Sequence, residues 1–261
     1  MPGPLDGFTP EPFTHGGATR DVWVGGEGPA VVVVHEIPGI TPKVADFGRR
    51  VIDRGMSVFM PDLVGTVGKE PAMPYILSSM ARVCVAREFT MLATGKTSPI
   101  IEWLKALSRT AHQRGGGPGV GAVGMCFSGG FALGMMVDPV VVAPVLSQPS
   151  SPFPLTRSHR RDLGVSPSDL EVVKERAADG CQVLGLRFTN DRMAPGDRFD
   201  ALRRQLGEAF IGVEIDSSKG NPWGNKSIAH SVLTEDLQDV DGHPTRDALH
   251  QVLDFFADRL L

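Results

Sequence analysis

The sequence GAVGMCFSGG, residues 121 to 130, places a cysteine between glycines after a run of small and apolar residues. In the pattern Gly-x-nucleophile-x-Gly, small flanking residues allow a strained turn from a strand into a helix that exposes the nucleophile. Gly124 and Cys126 fit this pattern, whereas Ser128 stands where the second glycine is expected and Gly129 comes one position late. The stretch predicts such a turn with Cys126 at its tip. A lone cysteine is also often a buried small apolar residue, so both interpretations stay open here.

Strand-like apolar runs alternate with helical patterns on both sides of this turn. The run AVVVV at residues 30–34 is typical of a strand buried on both faces, and it ends at HEIPG. Further strands are predicted in SVFMPDL, VGAVGM, VVVAPVLS, CQVLGLRF and FIGVEID, and helices in VADFGRRVIDRG, SPIIEWLKALSRTAHQR, GGFALGMMV, SDLEVVKERAADG, RFDALRRQLG and from about Thr245 to Leu261. This alternation predicts an α/β fold with a mostly parallel sheet and helices on both faces.

The ends of two helices and two less regular regions complete this prediction. Ser98 is expected to cap a helix that has Pro99 at its first position, and Ser168 is expected to begin another, with Glu171 completing a capping box. We expect one domain over residues 1–261, with an N-terminal extension at 1–19 and an irregular loop or small lid at 147–167.

Composition limits the classes of function. The chain has 261 residues, 41% of them hydrophobic, and a formal net charge of −4, so nucleic acid is not an expected partner. Its three cysteines lack CxxC spacing, and neither a disulfide framework nor a zinc cluster is predicted. The N-terminus lacks the pattern of a signal peptide and no apolar run is long enough to span a bilayer. We therefore expect a cytoplasmic protein with no membrane partner; the sequence gives no oligomeric state.

An acid and a histidine follow the turn in the order that nucleophilic catalysis on this type of fold uses. Asp191 ends the strand-like run CQVLGLRFTND, and His230 lies in SIAHSVLTED. A triad needs an imidazole to exchange the proton of the nucleophile and a carboxylate to orient that imidazole. Either residue alone would be interpreted as an ordinary loop residue. Together with Cys126, they predict a Cys-His-Asp site.

With these residues in place, the sequence resembles the dienelactone hydrolase family, a branch of the α/β-hydrolases that uses cysteine as nucleophile. The resemblance covers about residues 20 to 261 and rests on HEIPG, GMCFSGG, the ND after a late strand, and AHS near the end. It implies that Cys126 is the nucleophile, His230 the base and Asp191 the acid of the triad. It also implies no cofactor and a small ester or lactone as substrate.

The same resemblance implies roles for three further residues. Glu36 matches a glutamate that hydrogen-bonds the resting thiol and helps to form the thiolate, which is the attacking species. Because a carboxylate would also oppose that thiolate, it must take up a proton or move away as the anion forms. The oxyanion hole is assigned to the backbone N–H groups of Ile37 and Phe127. Family members that act on dienelactone bind its carboxylate through arginines, one of them shortly after the histidine. The segment HSVLTED has none, so we expect another substrate, and no substrate-binding residue is assigned.

Two other motifs are incomplete, and the activity has alternatives. Residues 119–124 satisfy GxGxxG but precede and lie within a strand, whereas a dinucleotide site needs them between a strand and a helix. HEIPG lacks the second histidine of the zinc motif HExxH, and no metal site is predicted. The prediction is hydrolysis of an ester or lactone through an acyl-cysteine. The alternatives are an acyltransferase, thioesterase or lactone-forming enzyme of a biosynthetic pathway, and a non-catalytic binding protein with a hydrolase fold.

Overall fold

The computed structural model describes residues 3–85, 98–150 and 156–261 of the chain. Its centre is an eight-stranded sheet in the order β1-β2-β4-β3-β5-β6-β7-β8. The strands are β1 Thr9–His15, β2 Ala18–Gly25, β3 Ala30–Val34, β4 Ser57–Pro61, β5 Val120–Met125, β6 Val141–Ser147, β7 Val183–Phe188 and β8 Phe210–Ile215. In the part of the sheet ordered β4-β3-β5-β6-β7-β8, all neighbouring strands are parallel. Strand β2 pairs antiparallel with β1 and β4. The predicted α/β fold with a mostly parallel sheet is confirmed.

Helices cover both faces of the sheet. They are α1 Pro42–Ile52, α2 Met73–Val85, α3 Pro99–Gly115, α4 Gly129–Met135, α5 Arg157–Arg161, α6 Pro167–Ala178, α7 Gly196–Leu206 and α8 Pro244–Leu260. Side chains alternate between the two faces of the sheet along β3. Val32 belongs to the apolar core that includes residues of α3, α4, α6 and α7, and Val31 belongs to the core on the other face, which includes residues of α1 and α8. No helix in the described ranges is long and apolar enough to cross a membrane.

The N-terminal region differs from the sequence-based prediction. Residues 9–15 of the expected extension form β1, which pairs along its whole length with β2. Most of β1 is exposed, and Pro10 and Pro12 lie within it. An edge strand tolerates proline because part of its backbone has no pairing partner, and its weak apolar pattern gives little signal in the sequence.

Two helix starts test the predicted caps. Ser98 caps α3, with Pro99 as the first helical residue, as expected. The expected start at Ser168 is wrong: α6 begins at Pro167, and the Ser166 hydroxyl accepts from Asp169 N at 3.1 Å. Proline fits the first turn of a helix, where its missing N–H costs nothing, so the cap lies two residues earlier. In the region 147–167, β6 extends to Ser147 and α5 adds a short helix, while residues 151–155 lie outside the described ranges.

Candidate active site

The turn after β5 has the geometry of a nucleophile elbow. Cys126 has φ of +56°, in the left-handed region that residues other than glycine rarely adopt, and its side chain is partly exposed. A Cβ on Gly124 would lie 2.0 Å from the Ser128 carbonyl oxygen, and one on Gly129 would lie 2.5 Å from Pro149 Cα. Both glycines are therefore required by close backbone approach. The strained Cys126 is held by its surroundings, which is common at functional sites.

Ser128 belongs in this turn for a reason that the sequence did not show. Its φ of −86° is ordinary for any residue, so the position does not need glycine. The fully buried hydroxyl accepts a hydrogen bond from Met125 N at 2.8 Å and lies 2.9 Å from the carbonyl oxygen of Val34. It also lies 3.1 Å from the carbonyl oxygen of His35. Ser128 thus ties the elbow to the end of β3.

The structure brings His230 and Asp191 together. Asp191 follows β7, and His230 lies in the histidine loop, residues 216–243 between β8 and α8. Nδ1 of His230 is 2.6 Å from Oδ2 of Asp191, and Oδ1 of Asp191 accepts from Met193 N at 2.9 Å. The loop is ordered by Asp236, whose carboxylate accepts from the backbone N–H of His230 at 2.8 Å and of Ser231 at 3.1 Å. Asp236 had no signal in the sequence.

Cys126 interacts electrostatically with this imidazole. Nε2 of His230 is buried and makes no hydrogen bond of ordinary geometry to a described residue. Burial lowers the pKa of His230, but the charges of Cys126 and Asp191 and the hydrogen bond to Asp191 outweigh it and raise the pKa well above its usual value. The surroundings of His230 therefore favour its protonated form, the imidazolium.

Glu36 is buried between the end of β3 and the histidine loop. Its Oε2 accepts from Ser231 Oγ at 2.7 Å and from Gln148 Nε2 at 3.1 Å, and its Oε1 accepts from the Thr234 hydroxyl. Burial raises the pKa of Glu36 and outweighs the opposing hydrogen bonds of Ser231 and Thr234 and the charge of His230. Among the described contacts of this carboxyl group there is no hydrogen bond to Cys126, in contrast to the resting contact that the resemblance implied.

His35 fixes the backbone that carries Glu36 and Ile37. Its Nε2 accepts from Leu63 N at 3.2 Å, so Nδ1 carries the proton and donates to the Glu36 carbonyl oxygen at 2.8 Å. Burial lowers the pKa of His35 to about 4, although the bond to the Glu36 backbone raises it. His35 is therefore a neutral structural residue.

The two predicted oxyanion donors lie on neighbouring segments. The ring centroids of His35 and Phe127 are 6.3 Å apart, which brings the segment after β3 next to the elbow. Ile37 N makes no backbone hydrogen bond to any residue within the described ranges. Within these ranges no group of three His, Cys, Asp or Glu side chains is arranged to hold a metal ion.

Arg198 on α7 holds the segment after β6 against the elbow. Its guanidinium donates to the carbonyl oxygens of Pro149 at 2.5 Å, Asp162 at 2.6 Å and His159 at 3.0 Å. Burial lowers the pKa of Arg198 to about 10, while the charges of Asp162 and Asp191 raise it. Because Ser150 N donates to the Cys126 carbonyl oxygen at 2.9 Å, Arg198 indirectly supports the nucleophile turn.

Comparison with known proteins agrees with this geometry. A model of the dienelactone hydrolase family matches residues 17–260. The chain belongs to this family. This confirms the predicted family and the prediction of a hydrolytic enzyme.

Solved structures of family members and esterases share the fold. A dienelactone hydrolase from Anabaena variabilis superimposes with a TM-score of 0.60 at 15% identity, over 97% of this chain and 98% of that chain. A cold-adapted esterase from an Arctic intertidal metagenomic library gives a TM-score of 0.59 at 15% identity, over 97% of this chain and 93% of that chain. At such identities the likeness establishes the fold alone.

One curated relative matches over a shorter stretch. YghX of Escherichia coli, described as a hydrolase fragment, is 38% identical over 66 residues, or 24% of this chain. The match spans 56% of the length of YghX.

Proposed function

We propose that this member of the dienelactone hydrolase family cleaves a small ester or lactone through an acyl-cysteine on Cys126. The observation that carries the proposal is the His230 imidazole. Its Nδ1 lies 2.6 Å from Asp191 Oδ2, and on its other side the Cys126 charge raises the pKa of the ring. A histidine oriented by a carboxylate and paired with a partly exposed thiol at a left-handed turn has the arrangement that nucleophilic catalysis requires.

Acylation begins when the Cys126 thiolate attacks the carbonyl carbon and the carbonyl π electrons move to oxygen. The N–H groups of Ile37 and Phe127 stabilise this oxyanion. As the carbonyl re-forms, the bond to the alcohol oxygen breaks and that oxygen takes the proton from His230 Nε2. The products of this half-reaction are an alcohol and a thioester on Cys126; with a lactone, both remain in one molecule.

Deacylation uses the same groups in reverse. A water molecule gives a proton to the now neutral His230 as its oxygen attacks the thioester carbon. Collapse of the second tetrahedral intermediate breaks the carbon–sulfur bond, which restores the Cys126 thiolate and releases a carboxylic acid. Asp191 holds Nδ1 protonated throughout, so that Nε2 remains the atom that exchanges protons.

Glu36 controls the charge next to this pair. A carboxylate there would oppose the thiolate, whereas burial raises the pKa of Glu36 and favours the neutral acid. Its side chain is 3% exposed, with hydroxyl and amide groups as its described partners. We therefore assign Glu36 the role of keeping Cys126 ionisable by remaining protonated itself.

The test is capture of the acyl-enzyme. The protein is mixed with an activated ester, quenched in acid and digested, and the modified peptide is identified by mass spectrometry. We expect the acyl group on Cys126, and a loss of roughly a thousandfold or more in kcat/KM for Cys126→Ala, since the nucleophile is absent.

Cys181→Ala provides the matched control. The Cys181 thiol is also partly buried, but it contacts the carbonyl oxygen of Val142 at 3.6 Å and has no described contact with the triad. This variant is expected to keep the turnover and the adduct on Cys126. Normal turnover by Cys126→Ala, or an acyl group found only on another residue, would contradict the proposed function.

A further inference from the structure

Gln148 adopts an unusual conformation beside the site. It follows β6 directly, is fully buried, and has φ of +36°, in the left-handed region. A buried residue other than glycine keeps such a conformation only where its surroundings fix it.

The side-chain amide of Gln148 joins two segments of the site. Nε2 donates to Glu36 Oε2 at 3.1 Å, and Oε1 accepts from Val232 N at 3.4 Å and from the Ser147 hydroxyl. The backbone N–H of Gln148 donates to the Leu186 carbonyl oxygen on β7 at 2.7 Å. A single residue thus connects the end of β3, strand β7 and the histidine loop.

The hydrogen bonds of Glu36 indicate where a proton fits. Oε2 accepts two hydrogen bonds, from Ser231 and Gln148. The carbonyl oxygen of a neutral carboxyl group would accept the same two bonds. Oε1 meets only the Thr234 hydroxyl among the described residues, and a hydroxyl can accept as well as donate. A proton on Oε1 would reverse that one bond and leave the other two unchanged.

We propose that Gln148, Ser231 and Thr234 are positioning residues that orient the buried carboxyl group of Glu36, so that the neutral acid carries its proton on Oε1, directed at Thr234 Oγ1. This arrangement keeps a negative charge away from Cys126 and His230. The proposal deepens the proposed function and rests on it for the role of Cys126.

The ionisable groups around Glu36 define the expected pH dependence. On the histidine loop, the charge of His230 lowers the pKa of Glu36 and that of Glu235 raises it. The adjoining His35 is neutral, and Gln148 and Ser147 at the end of β6 carry no charge. The charge of Glu36 interacts with that of His230, and the charge of His230 interacts with that of Cys126. Ionisation of Glu36 therefore changes the reactivity of the thiol.

The test measures the rate at which iodoacetamide alkylates Cys126 as a function of pH, read on its own peptide by mass spectrometry. In the wild type we expect a step in this rate at the pH where Glu36 ionises, and Glu36→Gln should abolish this step. The new amide group would donate to Thr234 and accept from Gln148 and Ser231, so this variant keeps the hydrogen bonds of the neutral acid and lacks the ionisable group.

Two near-isosteric variants test the positioning residues. Gln148→Met keeps the volume and removes the amide, and Thr234→Val removes only the hydroxyl. In the wild type, each of these two donors stabilises the ionised carboxylate. Its removal should therefore raise the pH of the Glu36 step by about one unit. Ser150→Ala is the control, since that hydroxyl contacts only the Gln148 carbonyl oxygen among its described partners, at 2.9 Å, and the step should not move.

The possible outcomes separate this inference from the proposed function. An unchanged step in Gln148→Met and Thr234→Val, or a step that persists in Glu36→Gln, would overturn the inference. If Gln148→Met does not fold, Thr234→Val decides alone. Ester hydrolysis is measured on the same samples: shifted alkylation steps without ester turnover would contradict the proposed function and leave the positioning role supported.

Discussion

Replacing Ser128 with alanine tests why serine occupies the elbow position where glycine is usual. The Ser128 hydroxyl accepts from Met125 N at 2.8 Å and lies 2.9 Å from the Val34 carbonyl oxygen, all in a fully buried position. Ser128→Ala removes the acceptor for this N–H, and an unsatisfied buried donor costs about 1–3 kcal/mol. The carbonyl oxygens lose a shared donor, which costs less because unpaired carbonyls are better tolerated.

The expected loss is therefore about 2 kcal/mol, which for a chain of this size lowers Tm by roughly 4–8 °C. Ser128→Gly should be destabilised further, by up to about 1 kcal/mol, because glycine gains more freedom in the unfolded chain. Thermal and urea unfolding measure both changes. Ser108→Ala is the control: this hydroxyl is equally buried but donates only to the Leu104 carbonyl oxygen of its own helix among its described contacts, at 2.9 Å.

Ser128→Gly distinguishes this explanation from a purely steric one. If the elbow preferred glycine and merely tolerated serine, Ser128→Gly would be as stable as the wild type or more stable. That result would refute the argument from hydrogen bonding. The φ of −86° at Ser128 favours the opposite result, since no relief of backbone strain is available there.

Two further predictions concern the triad and the response to acid. Asp191→Asn should lower kcat/KM by roughly a hundredfold to ten-thousandfold with little loss of stability, because the amide no longer fixes the Nδ1 proton of His230; steady-state kinetics and thermal unfolding check this. His35 has a pKa of about 4 in the folded protein against 6.5 for the free side chain, so the unfolded chain binds a proton more readily. The free energy of unfolding should therefore fall by about 3 kcal/mol between roughly pH 6.5 and pH 4, measured by urea unfolding, and His35→Gln should remove most of this fall. A wild-type slope that His35→Gln leaves unchanged would assign the acid sensitivity to another group.

The sheet and the positions of the candidate site residues in the fold were predictable because their signals are local or follow from topology. Each parallel strand is an apolar run, and the carboxyl ends of such strands meet at one edge of the sheet. Asp191 follows β7 and Cys126 follows β5, so the order of the elements already predicts that they lie near each other. The antiparallel strand β1 was missed because an exposed edge strand needs no continuous apolar run.

The partners of Glu36 were not predictable, because they depend on contacts between distant parts of the chain. Thr234 is 198 positions from Glu36, and Gln148 is 112 positions away. Serine, threonine and glutamine are ordinary loop residues, and nothing in their local sequence indicates which carboxyl group they will meet. The resemblance to the family indicated a charge conflict between Glu36 and a thiolate, whereas the contacts that surround Glu36 are visible only in three dimensions.

The two carboxyl groups of the site have different surroundings, and the proposed mechanism gives them different roles. Asp191 receives N–H donors, from His230 at 2.6 Å and Met193 at 2.9 Å, which are the partners of a charged acceptor. Glu36 meets the Thr234 hydroxyl on one oxygen, and burial raises its pKa. In many active sites, two acids with contrasting surroundings have different protonation states and different catalytic roles. In the proposed mechanism, Asp191 orients His230, and a neutral Glu36 allows Cys126 to carry the negative charge that attacks the substrate.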